Sequence, residues 1–328
     1  MTTFRGFIRE LDRASRRYQR EQERQERENR KAYQAHLKQQ EIENAKETVL
    51  AYDNFITSLT SLHKNCSEKI NWLEIKNTIP PTQPVLKNTN EIKAKNKLDT
   101  YTPSFIDKIF KWTEKRKKTL HKKIEDAKIL DTKLFEQENN KYNQDLIIWK
   151  EEQSIANGIL NKNNEICIEC FKKFFNKEYF SDFISDLTLI FHSDAIEINI
   201  KINDISIIPN EILSLTYTDK MSRKKMPFSK KLDIYQDYIC STTLRIAREI
   251  YAILSYDKSL INVNCNLLNE STGYKEEKTI LSSIIESKKL NSINFIDTDA
   301  SMCIKNFIHN INFSKTKGFS SVEKLTLT

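Results

Sequence analysis

The stretch 195–202, AIEINIKI, sets Ile196, Ile198, Ile200 and Ile202 two residues apart, with Glu197, Asn199 and Lys201 between them. Strict alternation marks a strand with one face buried. On either side, 187–193 (LTLIFHS) and 205–218 (ISIIP running into EILSLTYT) read as two more strands. Segment 231–254, KLDIYQDYICSTTLRIAREIYAIL, is too long for a strand and reads as a helix packed in the core. LINVNCNLL (260–268) and KTILSSIIES (278–287) are strands separated by a glycine-bearing turn, 270–277. An apolar helix over 164–185 precedes the strands, and 294–313 contains a helix capped near Asp297 or Asp299. The order α-β-β-β-α-β-β-α makes 161–328 an α+β domain.

The first half has a different character. Residues 1–160 hold 31 Lys/Arg against 24 Asp/Glu, so nearly all of the chain's formal charge of +8 sits there. Residues 4 to about 66 read as one helix, since Glu, Arg, Gln, Lys and Ala favour helix and no proline interrupts. As a rod it would be roughly 90 Å long at about 1.5 Å per residue. Its middle lacks a sustained apolar seam, so it reads as a solvated helix or a weak coiled coil. Residues 77–89, NTIPPTQPVLKNT, must be irregular, and a second long helix is expected from near Pro103 to about residue 160. Two domains are therefore expected: a helical hairpin or coiled-coil arm, 1–160, and the α+β domain, 161–328.

Counting excludes several classes. The chain has four glycines, at 6, 158, 273 and 318, with no two close together. Phosphate-cradling and dinucleotide-binding loops need clustered glycines and cannot be built here. Of six cysteines only Cys167 and Cys170 form a CxxC, which leaves a four-ligand zinc site incomplete. The histidines are scattered. The first 30 residues lack the apolar core of a secretion signal, and no run of 18 apolar residues exists to span a membrane. The chain reads as soluble and cytoplasmic.

Charge patterning points to a polyanionic partner. Arg9, Arg13, Arg16 and Arg20, continued by Arg24, Arg27 and Lys31, recur every three or four residues and share one helical face. Such a stripe can follow phosphates irrespective of sequence, although Glu21, Glu23, Glu26 and Glu28 can also neutralise part of it. Residues 220–231, KMSRKKMPFSKK, carry Lys220, Arg223, Lys224, Lys225, Lys230 and Lys231 with no acid among them. They read as a loop pinned between a strand and the core helix, a favourable place to bind phosphate. A third basic cluster, including Lys115, Arg116, Lys117 and Lys118, lies on the second long helix. Arg245 and Arg248, on so apolar a helix, must be paired or functional.

The order α-β-β-β-α-β also matches the core of restriction-endonuclease-like folds. Such a nuclease would hold Mg²⁺ through Asp194 and Glu197 at the second strand and Glu211 on the third. Leu213 stands where that pattern wants a lysine. This is the alternative to a non-catalytic nucleic-acid-binding role, for which no cofactor is expected. A structural adaptor that binds a protein through its coiled-coil arm is the third reading.

Residues 220–254, with STGYKEEKTILSS and IDTDASMCIKNFIHNINFSKTKGFSSVEKL, resemble an uncharacterised bacterial family with a charged helical N-terminus. The resemblance spans roughly 187–328. It implies work connected with nucleic acid or antiphage defence, and it transfers no catalytic residues.

Overall fold

The computed structural model describes residues 4–105, 109–269 and 271–327, with side chains from residue 16 onward. Its compact units follow a different division from a break near residue 160. One comprises residues 1–68, 175–252 and 256–328; the other comprises 69–174 with 253–255. The expected arm is thus shared between them. Helix α1 (Phe4–Ser61) is a continuous 58-residue helix that belongs to the first unit. From residue 16 through 41 it is exposed, and burial begins only at Ala45 and Val49.

The second unit is helical: α2 (Trp72–Lys76), α3 (Thr89–Asp99), α4 (Thr113–Leu160) and α5 (Asn164–Phe174). The long helix α4 starts at Thr113, ten residues later than Pro103 suggests, and its partners here are α2 and α3. Asp131 of α4 caps α3 from outside: its carboxylate accepts from the backbone N–H groups of Asn90 (3.0 Å) and Glu91 (2.9 Å). Near the other end of α4, Trp149 Nε1 donates to the Thr78 carbonyl and Gln153 Nε2 to that of Ile75. A Cβ at Gly158 would collide with Ile166, so this glycine allows α4 and α5 to meet closely.

The first unit continues with α6 (Lys177–Ser181), β1 (Ile184–Phe191), β2 (Ala195–Ile202), β3 (Glu211–Leu215), β4 (Met221–Lys225), α7 (Phe228–Ile253), β5 (Lys258–Leu268) and β6 (Lys275–Glu286). It ends with α8 (Ser287–Asn291), α9 (Ala300–Ile304), β7 (Ile308–Ile311) and a short ladder of β8 (Phe313–Ser314) with β9 (Gly318–Phe319). The main sheet has the order β1-β2-β5-β6-β7, with β2 and β5 parallel and the other neighbours antiparallel. Ile196, Ile198, Ile200 and Ile202 of β2 are all buried, as their alternation requires. Asp299 caps α9 by accepting from the Met302 N–H at 2.9 Å.

Two sequence expectations are corrected. The third strand does not join the main sheet; β3 pairs with β4 in a separate two-stranded sheet. The basic segment read as a loop therefore includes a strand. With β3 outside the sheet, nothing specific to a restriction-endonuclease-like fold remains beyond a mixed α/β arrangement. No helix among the described residues is long and apolar enough to cross a membrane.

Helix α7 is the centre of this unit. From Tyr238 to Ile253 every residue but Arg248 is buried. A helix buried on all sides must satisfy its polar groups internally. Thr242 and Thr243 donate to the carbonyls one turn back, of Tyr238 and Ile239. Tyr235 donates to the Asn203 carbonyl at 2.9 Å, Tyr238 to that of Phe183, and Tyr251 to that of Ile285 at 2.6 Å. Ser241 Oγ accepts from the backbone N–H of His63 and lies 2.8 Å from its Nδ1. The two arginines are paired: Arg245 meets Glu249 at 2.7 Å beside the rings of Tyr179 and Phe180. Arg248 donates to the His63 carbonyl and lies 4.3 Å from the Phe295 ring centre.

Glu249 is the hub of this arrangement, since it also accepts from the Ser67 N–H at 3.0 Å. Removing one member of a buried ion pair strands the other charge and costs about 3–5 kcal/mol. Glu249→Ala is therefore expected to lower the stability of this unit by about that amount, read from the denaturant midpoint. Exposed Glu47→Ala should leave the midpoint nearly unchanged.

Candidate nucleic-acid interface

The basic segment gains its geometry from the β3–β4 hairpin. Glu211 pairs with Lys225, Ile212 with Lys224 and Leu213 with Arg223. Directly opposed residues share a face and neighbours along a strand alternate, so Arg223 and Lys225 project to one side and Lys224 to the other. All three are exposed. Arg223 lies 3.8 Å from Glu211. Among the described residues, Lys220, Lys224, Lys225 and Lys230 have no ion-pair partner.

The turn that closes the hairpin is well tied. The Thr216 N–H donates to the Lys220 carbonyl at 2.8 Å, and the Asp219 N–H to the Thr216 carbonyl at 3.0 Å. Asp219 adopts φ of 57°, a left-handed conformation that Asp tolerates better than most residues. Its carboxylate also pairs with Lys46 of α1 at 3.0 Å. Helix α1 packs against both strands, and a groove between them is lined by Lys38, Glu41 and Ile42 on one side and by Thr218 and Lys220 on the other. At the base of the hairpin, Lys231 donates to Asn210 Oδ1 at 2.7 Å beside a depression lined by Lys225, Pro227 and Phe228.

The structure thus unites Lys220, Arg223, Lys224, Lys225, Lys230 and Lys231 on one hairpin and its exit. It treats the arginine stripe unevenly. Arg9 and Arg13 lie outside the residues whose side chains are described, while Arg16 and Arg20 are exposed on α1. Farther along, Arg24 pairs with Glu28 at 3.1 Å, Arg27 with Glu23 and Arg30 with Glu26. The glutamates therefore neutralise that part of the helix.

The acids of the nuclease reading fall on two sheets. Asp194 lies in the bend between β1 and β2, and Glu197 on β2 accepts from the side-chain amides of Asn199 and Asn262, both at 3.1 Å. Glu211 begins β3, in the other sheet. Lys201, the lysine of β2, is bonded to Glu277. Among the described residues no group of three or more His, Cys, Asp or Glu is arranged to hold a metal ion. All six cysteines are free thiols, and burial pushes that of Cys170 up to about 11.

Sequence reasoning missed one titratable group beyond the hairpin. Burial, reinforced by the charges of Asp299 and Asp233, pushes the Asp237 carboxyl up to about 6. Lys315 opposes this, but it pairs with Asp233 at 3.5 Å. The signal available was the spacing Asp233-x₃-Asp237, two acids one helical turn apart. A carboxyl whose folded pKa exceeds its unfolded value of about 3.9 holds its proton more tightly when folded. Its contribution to stability therefore falls as pH rises from about 4 to about 6. Asp237→Asn is expected to raise the melting temperature at pH 7, and the gain should shrink steadily towards pH 4. Melting curves of both proteins across that range test the sign.

Comparison with family models, with curated proteins and with solved structures found no match.

Proposed function

We propose that the chain is a non-catalytic nucleic-acid-binding protein of the cytoplasm that grips phosphate backbone with the β3–β4 hairpin and the basic face of α1. The observation that carries this is the run Arg223-Lys224-Lys225, exposed on both faces of a closed and anchored hairpin. Exposed cations held by a rigid scaffold lose little freedom when they meet phosphates, and they displace counterions from the polyanion. Lys220 and Lys230 extend the same positive strip. Antiphage defence, implied by the resemblance of 187–328, would be one setting for such a protein.

Salt dependence tests it. Binding of the wild type to DNA or RNA should weaken steeply with salt, since each neutralised phosphate adds about 0.7–0.9 to the logarithmic slope. The triple variant R223E/K224E/K225E should lose affinity and show a slope smaller by about 2 to 3. Binding unchanged by that variant in a gel-shift salt series would exclude the hairpin as the contact. Retrieval of a stoichiometric protein and no nucleic acid from nuclease-free purification would favour the adaptor reading.

A further inference from the structure

We infer that the hairpin surface selects single-stranded nucleic acid, with Tyr217 at its tip as a base-stacking residue. This rests on the phosphate-binding reading of the same hairpin and goes beyond it to the class of ligand. Tyr217 is fully exposed, and among the described residues its ring and hydroxyl have no partner. The turn does not need it there: Thr216 supplies the bonds that close the loop, and Asp219 takes the left-handed conformation. Hairpin tips are ordinarily built from Asn, Gly, Asp or Ser. An aromatic ring presented whole to water, on a turn whose backbone is fixed, is placed for contact with something outside the chain.

The surroundings specify what that contact is. Tyr217 is followed within eight residues by Lys220, Arg223, Lys224 and Lys225, and the run ends at Phe228, which is itself exposed. Aromatic rings at the two ends of a cationic strand form the pattern that binds single strands, in which side-chain cations follow the backbone and rings stack on bases. Strand β4, of five residues, is about 17 Å long at about 3.4 Å per residue, which leaves room for several nucleotides between the rings. In a duplex the base faces are already stacked on one another and offer only their edges and the phosphates. Wedges that force duplex steps apart are usually Phe, Leu, Ile, Met or Pro. A tyrosine beside unpaired lysines therefore fits unpaired bases better. Because every base has a π-face, the preference is for strandedness and not for sequence.

Fluorescence anisotropy separates the two levels of the proposal. The probes are a labelled oligothymidylate, an oligouridylate of equal length and a duplex DNA of equal length. Wild type should bind both single strands more tightly than the duplex. Tyr217→Ala should weaken single-strand binding roughly 5-fold to 100-fold, the range for losing one stacked base, and leave duplex binding unchanged. Tyr217→Phe, which keeps the ring, should bind as wild type does. Because the side chain is fully exposed and has no partner among the described residues, the far-UV circular dichroism of both variants should match that of wild type. Unchanged single-strand affinity in Tyr217→Ala, or duplex binding as tight as single-strand binding, overturns the stacking role. If R223E/K224E/K225E still loses affinity in those cases, the phosphate-binding reading survives alone. If wild type binds none of the probes, both fall.

Discussion

A helix with no solvent-facing side leaves no polar group on it to water, and α7 is such a helix through most of its length. The rest of the α/β unit is arranged to meet this demand. Its tyrosines reach backbone carbonyls beside or within the strands of the main sheet, its threonines bond back to their own helix, and Ser241 is taken up by His63 just beyond α1. Burial also holds the His63 imidazole below its ordinary pKa, which keeps it neutral for those bonds. The serine and histidine resemble part of a catalytic pair only in composition. Both are almost wholly buried, and each is engaged in structural bonds.

The same constraint explains why the end of α1 belongs with this unit and not with the helices that follow it. Arg248 fixes the carbonyls of His63 and Asn65, and Glu249 fixes the Ser67 amide. These bonds gather the segment that follows α1 onto α7. Upstream, burial at Ala45 and Val49 and the Lys46–Asp219 pair tie α1 to the hairpin. A long charged helix is thereby oriented by its last few turns, while its exposed portion relies on pairs between residues four apart for local support.

What was legible in the sequence depended on whether local pattern and final burial agreed. They agree in β2, whose period of two is also its burial pattern, and in α7, whose apolar length admits no other element. They agree at Asp299, a cap by chemistry and by geometry. They conflict in β4: Lys and Arg are poor strand formers, and MSRKK becomes a strand only because β3 lies opposite it. Its three cations were legible as an exposed basic run while their backbone was not. Glu211 was misplaced for a related reason, since which strand pairs with which is a non-local choice that periodicity does not encode. Helix α3 went unread because the prolines at 80, 81 and 84 dominate its approach and its external cap, Asp131, lies 41 residues away from Asn90.

The lysines of β4 have a second physical consequence. A two-stranded sheet has two open edges, each a row of unpaired backbone groups able to recruit a strand from another molecule. Consecutive like charges make that addition repulsive, because a second copy of the hairpin would set its own cations beside them. The same run of charges that makes this strand an unusual one therefore disfavours its pairing with a second copy of itself.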